Sequence, residues 1–264
     1  MPGLQITPPP AVRDAFRVSG PVHRLEGGDE TSVRVADVVL KQVMNPTLAN
    51  WTQELLAETE HDAIEVPAPL RSHQGEWVVD GWVATKFVPE LRSGLGRWAE
   101  VADAGREFHA SIAGRAGGID PVLARTDRWA EADRFVWEEL DLELSGEAGE
   151  LIERLRAQAN PGGLPAQVIH GDLTGNVFFD ADDQPVILDF SPLVRPPTYA
   201  IAIVAADALL WHSADPAVLA ATSVAADALA RAILFRLVSE QLAVAPRHGA
   251  RLDDHRRVLN LLGW

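Results

Sequence analysis

A chain of 264 residues, 47% of them hydrophobic, is long enough to bury one large core or two smaller ones. Its formal net charge of −15 excludes a nucleic-acid backbone or an anionic membrane surface as the main partner, because both require a basic face. Cysteine is absent, which excludes disulfides and thiolate metal sites, and only Lys41 and Lys86 among the 23 basic residues are lysines.

The opening "MPGLQITPPPAVRDAF" has no apolar run fit for a signal peptide. The longest apolar candidate, "YAIAIVAADALLW", is interrupted by Asp207 and falls short of the ~20 residues of a membrane span, so a cytoplasmic protein is expected. Residues 21–90 read as strand-rich. "PVHRL" is a strand, "EGGDETS" a loop, and "VRVADVVLKQV" two strands around a tight turn at Ala36-Asp37. Pro46 and Thr47 open a helix with Leu48, Trp51 and Leu55 on one face. "EWVVDGWVATKFV" predicts two further strands around Asp80-Gly81. Beyond "PELRSGLG" the pattern becomes helical, over 97–113, 127–142, 147–158, 198–212, 215–244 and 251–262, with Pro216 placed for a first turn. The change in character falls near Val88–Gly96.

Lys41 lies in the apolar run "VADVVLKQV". In a chain whose habitual cation is arginine, a lysine here points to a chemical requirement: a compact point charge on a flexible stem suits a single phosphate contact beside a strand.

The helical pattern is interrupted by "VIHGDLTGNVFFDADDQPVILDF", residues 168–190. Two short apolar runs flank a polar turn and read as a hairpin. With the turn centred between Asp182 and Asp183, Asn176 and Asp189 face each other at about 4.5–5.5 Å between Cα atoms. An amide and a carboxylate at that spacing can share magnesium, which takes oxygen ligands and leaves room for phosphates. Asp172, four residues before Asn176, can reach the same space and accept a hydroxyl proton. His170 reads as a packed residue supporting the loop. The acidic stretch 138–150 reads as a solvated face, although an acidic surface is compatible with a cationic acceptor.

"HGDLTGN" followed by "ILDFS" resembles the aminoglycoside phosphotransferase and choline kinase-like family, relatives of the protein kinases. "EGGDETSVRV" matches that family's phosphate-covering loop, "VVLK" its lysine strand, "VATKFVPE" its lobe connection and "AGREFHAS" the helix after it. The resemblance implies an α+β, two-lobed protein kinase-like fold, with an N-lobe over 1–90 and a mainly helical C-lobe over 91–264. It implies transfer of the γ-phosphoryl group of ATP, as co-substrate with Mg²⁺, to a hydroxyl of a small molecule. Asp172 would be the base. Asn176 and Asp189 would hold the metal. Lys41 would contact the α/β phosphates, with Gly27, Gly28 and Ser32 covering them. Glu54, or Glu58 one turn on, would orient Lys41, and the backbone of Lys86, Phe87 and Val88 would hold the adenine. The chain departs from the family in three places: the Asp172–Asn176 spacing is one residue shorter than the commoner pattern, Ser191 stands where glycine is usual, and Ala200 stands near the place of an aspartate that the family often carries early in the following helix, which leaves open whether Asp207, seven residues on, takes over its role. A non-catalytic nucleotide-binding sensor or scaffold is the alternative from another class.

Overall fold

The structure, a computed structural model, describes residues 7–25, 31–114, 117–159, 165–243 and 252–264. The first long-range unit is a five-stranded antiparallel sheet of order β1-β2-β3-β5-β4, built from Val22–Arg24, Ser32–Val35, Val38–Gln42, Pro69–Leu70 and Trp82–Lys86. The β2–β3 hairpin closes through Ala36, which sits in the left-handed region at φ 54°. Strand periodicity sends Val33, Val35, Val38 and Leu40 into one core, which Val12 of helix α1 (Pro10–Ala15) completes. Lys41 therefore belongs to the opposite face, paired across the ladder with Ser32 and Val83.

Helix α2 (Pro46–Glu58) starts as its sequence dictates. Asn45 accepts from the Leu48 N–H, and Pro46 occupies a first-turn position whose N–H has no helical partner. The hairpin predicted at Asp80-Gly81 is only partly realised. The turn forms, with both residues at positive φ, but Val79 alone pairs with Trp82 as an isolated bridge. Residues 72–76 fold into a local loop closed by the Ser72 N–H on the Glu76 carbonyl. The place beside β5 goes to β4, where a proline is tolerated at the sheet edge.

The helical part comprises α3 (Trp98–Ile112), α4 (Asp120–Leu123), α5 (Arg128–Val136), α6 (Gly146–Arg156), α7 (Pro197–Trp211), α8 (Ala217–Ala221), α9 (Ala226–Gln241) and α10 (Leu252–Leu262). At its centre lies α7, buried without interruption from Tyr199 to Leu210 and packed against α3 and α9. A helix apolar on every side can only be interior. The segment expected to be helical over 127–142 stops at Val136, where Glu138 turns left-handed. The segment 215–244 divides into α8 and α9 at Ser223, another left-handed residue. Among the described residues no helix is long and apolar enough to cross a membrane.

Two small sheets carry the segment between α6 and α7. Strand β7 (Gln167–His170) pairs with β10 (Pro192–Arg195), and β8 (Val177–Phe179) lies between β6 (Arg92–Ser93) and β9 (Pro185–Ile187). Glu65 bridges to Val186, donating its N–H to Pro185 and accepting from Ile187, so the chain after α2 is stitched to β9.

Candidate active site

Strand β7 ends at His170, which is fully buried. Its Nδ1 accepts the Asp172 N–H at 3.1 Å and its Nε2 meets the Leu188 carbonyl at 3.1 Å, which assigns the proton to Nε2. Burial holds its pKa below the ordinary histidine value, in keeping with a neutral ring. One imidazole thus ties the backbone at Asp172 to the backbone just ahead of Asp189. Gly171, between them, has no room for a side chain: a Cβ there would stand 2.5 Å from Leu193 Cδ1.

The β8–β9 register pairs Val177 with Ile187, so Asn176 faces Leu188 rather than Asp189. The turn holds three residues, Ala181 to Asp183, with Asp183 left-handed and the Asp180 carboxylate accepting the N–H groups of Asp182 and Gln184. An odd loop centres the hairpin on Asp182 and shifts the partners by one. Asp189 reaches the site another way. It leaves the strand at φ 49°, a conformation few residues other than glycine adopt, and its side chain turns toward β3. Phe190 then packs edge-on against Phe108 of α3, and the Ser191 carbonyl accepts the Gly171 N–H.

These local choices converge. Lys41 Nζ donates to Asp189 Oδ1 at 2.8 Å, joining the sheet to the hairpin. Asn176 Nδ2 donates to the Asp172 carbonyl at 2.7 Å. Lys41, Asp172, Asn176 and Asp189 line one cleft of about 290 Å³. Asp172 is half-exposed there. Its Oδ1 accepts from Arg236 Nη2 at 2.9 Å, while Oδ2 has only a long 3.4 Å approach from Asn176.

Arg236 is buried on α9 and is bonded through Nε and Nη2 to both oxygens of Asp207, at 2.7 and 2.6 Å. Asp207 is the sole carboxylate on the otherwise largely apolar α7 and is itself completely buried. Burial raises its pKa and works against the charge of Arg236, but Asp207 and Asp172 together hold the Arg236 pKa above its ordinary value. The short two-pronged contact is that of an ion pair. Removing one partner would leave a buried charge alone, at a cost of about 3–5 kcal/mol.

The remaining residues expected at the site divide. Ser32 lies across the ladder from Lys41. Gly27 and Gly28 fall outside the described residues. Glu54 is exposed on α2 and makes no bond to Lys41; the lysine's partner is Asp189 instead. Glu58, one turn on, is exposed as well. At the end of β5 the N–H groups of Lys86 and Phe87 are taken by the Ala68 and Asp37 carbonyls, whereas the Val88 N–H donates to no backbone group among the described residues. Sequence reasoning missed Arg236, Arg125, Arg128 and Trp129, all of which line the cleft. The one available signal was an arginine inside the apolar run "AILFRLV".

The donors fit magnesium. Asn176 and Asp189 offer an amide and a carboxylate oxygen to one cleft, and among the described residues no group of three or more histidines and carboxylates could cage an ion alone. A site with so few protein oxygens suits a small hard cation that keeps water and phosphate ligands.

No curated protein sequence matches the chain significantly. In fold it is similar to a spectinomycin phosphotransferase solved with ADP and spectinomycin (14% identity, TM-score 0.58, 93% of this chain and 91% of that one). It is similar also to an aminoglycoside phosphotransferase from Alicyclobacillus acidocaldarius (15%, 0.58, 99% and 95%) and to a choline kinase from Streptococcus pneumoniae (13%, 0.55, 92% and 94%). Residues 28–236 match the model of the phosphotransferase enzyme family, most of the chain, and the protein belongs to that family.

Proposed function

We propose that the protein transfers the γ-phosphoryl group of ATP, bound with Mg²⁺, to a hydroxyl of a small molecule. The observation that carries this reading is the meeting of Lys41, Asp172, Asn176 and Asp189 in one cleft, from points as distant in sequence as β3 and β9. Residues up to about 90 would hold the nucleotide and the rest the acceptor. Lys41 would bind phosphate oxygens, and the Val88 N–H would meet the adenine. Bound magnesium would offset the charge that gathers on the phosphates. Asp172 would orient the acceptor hydroxyl through Oδ2 and take its proton, while Arg236 fixes Oδ1. The chemistry asks for positioning and charge neutralisation more than for covalent steps. A non-catalytic scaffold is favoured by no observation, since it would give the anchored Asp172 no task.

Asp172→Asn is expected to lower kcat by about 10²–10⁴ while nucleotide affinity is retained. Asp189→Asn is expected to abolish the magnesium dependence of nucleotide binding in a calorimetric titration. Turnover surviving the first change, or unaltered metal-dependent affinity after the second, would overturn these roles.

A further inference from the structure

Phosphoryl transfer as described leaves Arg125, Arg128 and Trp129 in the wall of the cleft without a task. Trp129 packs on Phe235 with ring centroids 6.0 Å apart, and Arg128 lays its guanidinium over the same indole, 4.4 Å from the ring centre. Three arginines line the cleft, Arg125, Arg128 and Arg236. Two are committed within the protein. Arg236 is bound by Asp207 and Asp172. Arg125 spends its Nε and Nη2 on Asp127 and its Nη1 on the Pro192 carbonyl. Arg128 is exposed, lines the cleft and has no carboxylate partner among the described residues.

Carboxylates show the reverse. Those lining the cleft among the described residues are Asp172 and Asp189, and each already faces a cation, Arg236 or Lys41. Asp127 stands nearby, but its oxygens are taken by Arg125 and by the N–H groups of Trp129 and Ala130. No residue of the acidic stretch 138–150 reaches this wall. Among the described residues lining the cleft, a polyamine would find an unpaired cation and no carboxylate without a counter-charge. A carboxylate or phosphate would find a planar fork of donors already supported on an indole face. The net charge of the chain does not reverse this, since exposed charges beyond about 10 Å are screened.

We propose, on the phosphotransferase reading, that the acceptor is a hydroxy compound carrying an anionic group, a carboxylate or a phosphate ester, and that Arg128 binds that group while Asp172 faces the hydroxyl. The acceptor oxygen forms a bond to the γ-phosphorus, and the bond from that phosphorus to the β,γ-bridging oxygen breaks. ADP leaves with the bond's electron pair, and the hydroxyl proton passes to Asp172 and then to solvent. The anionic group is unchanged and serves recognition alone.

The test uses the full chain with Mg-ATP and matched sets of acceptors on one polyol framework: neutral, carboxylate, phosphate ester and amine. ADP release and labelled product are both followed. A carboxylate or phosphate member is expected to show kcat/KM about 10- to 100-fold above its neutral counterpart, with the amine below it; which of the two anions leads identifies the group. Arg128→Ala should raise KM for the anionic acceptor about tenfold and move KM for the neutral one by less than about twofold. Arg128→Glu should reverse the order of anion and amine. Preference of the native protein for amines, or an order unmoved by Arg128→Glu, overturns the proposal. ADP release to water with no anionic member phosphorylated also overturns it, and leaves phosphoryl transfer standing. Absence of ADP release under every condition removes the phosphotransferase reading and this one with it.

Discussion

Arg236 holds a charge in one of the most sheltered positions of the chain, and its two obligations can be separated. It neutralises Asp207 inside the helical core, and it pins one oxygen of Asp172 at the cleft. Arg236→Met alone strands Asp207 and is expected to cost about 3–5 kcal/mol in a denaturant titration. Adding Asp207→Leu replaces the pair by apolar residues of similar size and should restore most of that stability. Turnover should stay low in both variants if the arginine positions Asp172. Full kcat in the stable double variant would reduce its role to packing. Legibility at this scale depended on contrast. Lys41 was readable because lysine is rare here, whereas Arg236 is one arginine among many and its partners lie 29 and 64 residues away. Glu54 was misread because sequence order along α2 does not tell which face the helix turns toward the strand lysine.

Among the elements, α3 is the one that seats the segment carrying Asp172. Gly105 lies on its buried face, and a Cβ added there would stand 2.5 Å from Leu173 Cδ1 and 3.0 Å from Ile201 Cδ1. Helix propensity favours alanine over glycine by about 1 kcal/mol. Overpacking against Leu173, the residue next to Asp172, typically costs about 1–3 kcal/mol. Gly105→Ala is therefore expected to lower the melting temperature and to lower kcat by shifting Asp172. A stabilised variant of full activity would show that α3 has slack at this point. The helices themselves were legible from periodicity, but their ends were not. Ser223 and Glu138 break the pattern by adopting left-handed backbone, and neither is a residue type that announces a stop. The hairpin was legible as well, yet its register hinged on a three-residue loop that Asp180 stabilises and that spacing alone does not distinguish from an even one.

At the scale of the molecule, two buried histidines, His109 and His170, are expected to make folding sensitive to acid. His109 Nε2 accepts the His170 N–H at 3.0 Å, and burial, aided by His170, holds the His109 pKa down to about 3 from an ordinary 6.5. Between those values the unfolded chain binds a proton that the folded one refuses, so stability is fullest above the upper value and falls as pH drops toward the lower. The melting temperature should decline from about pH 6.5 to about pH 4, and His109→Gln, which keeps an acceptor, should flatten part of that decline. An identical slope in the variant would place the acid sensitivity elsewhere. The passage from a β-sheet N-terminal region to a helical C-terminal region was the most legible feature of all, because a switch from twofold to 3.6-fold periodicity survives errors at individual boundaries. The walls of the cleft were the least legible, being assembled from α4–α5, β10 and α9, which no local pattern brings together.

The contact between Lys41 and Asp189 has a consequence for what can enter. Each charge already has its counter-charge, and each remains about a third open to solvent. A bare nucleotide would offer the ammonium a new anion while orphaning the carboxylate. A nucleotide chelated to a divalent ion offers both an exchange: phosphate oxygen for the one, metal for the other. On the proposed reading, admission would conserve the count of satisfied ions, and the resting arrangement would discriminate against the unchelated form before any group is transferred.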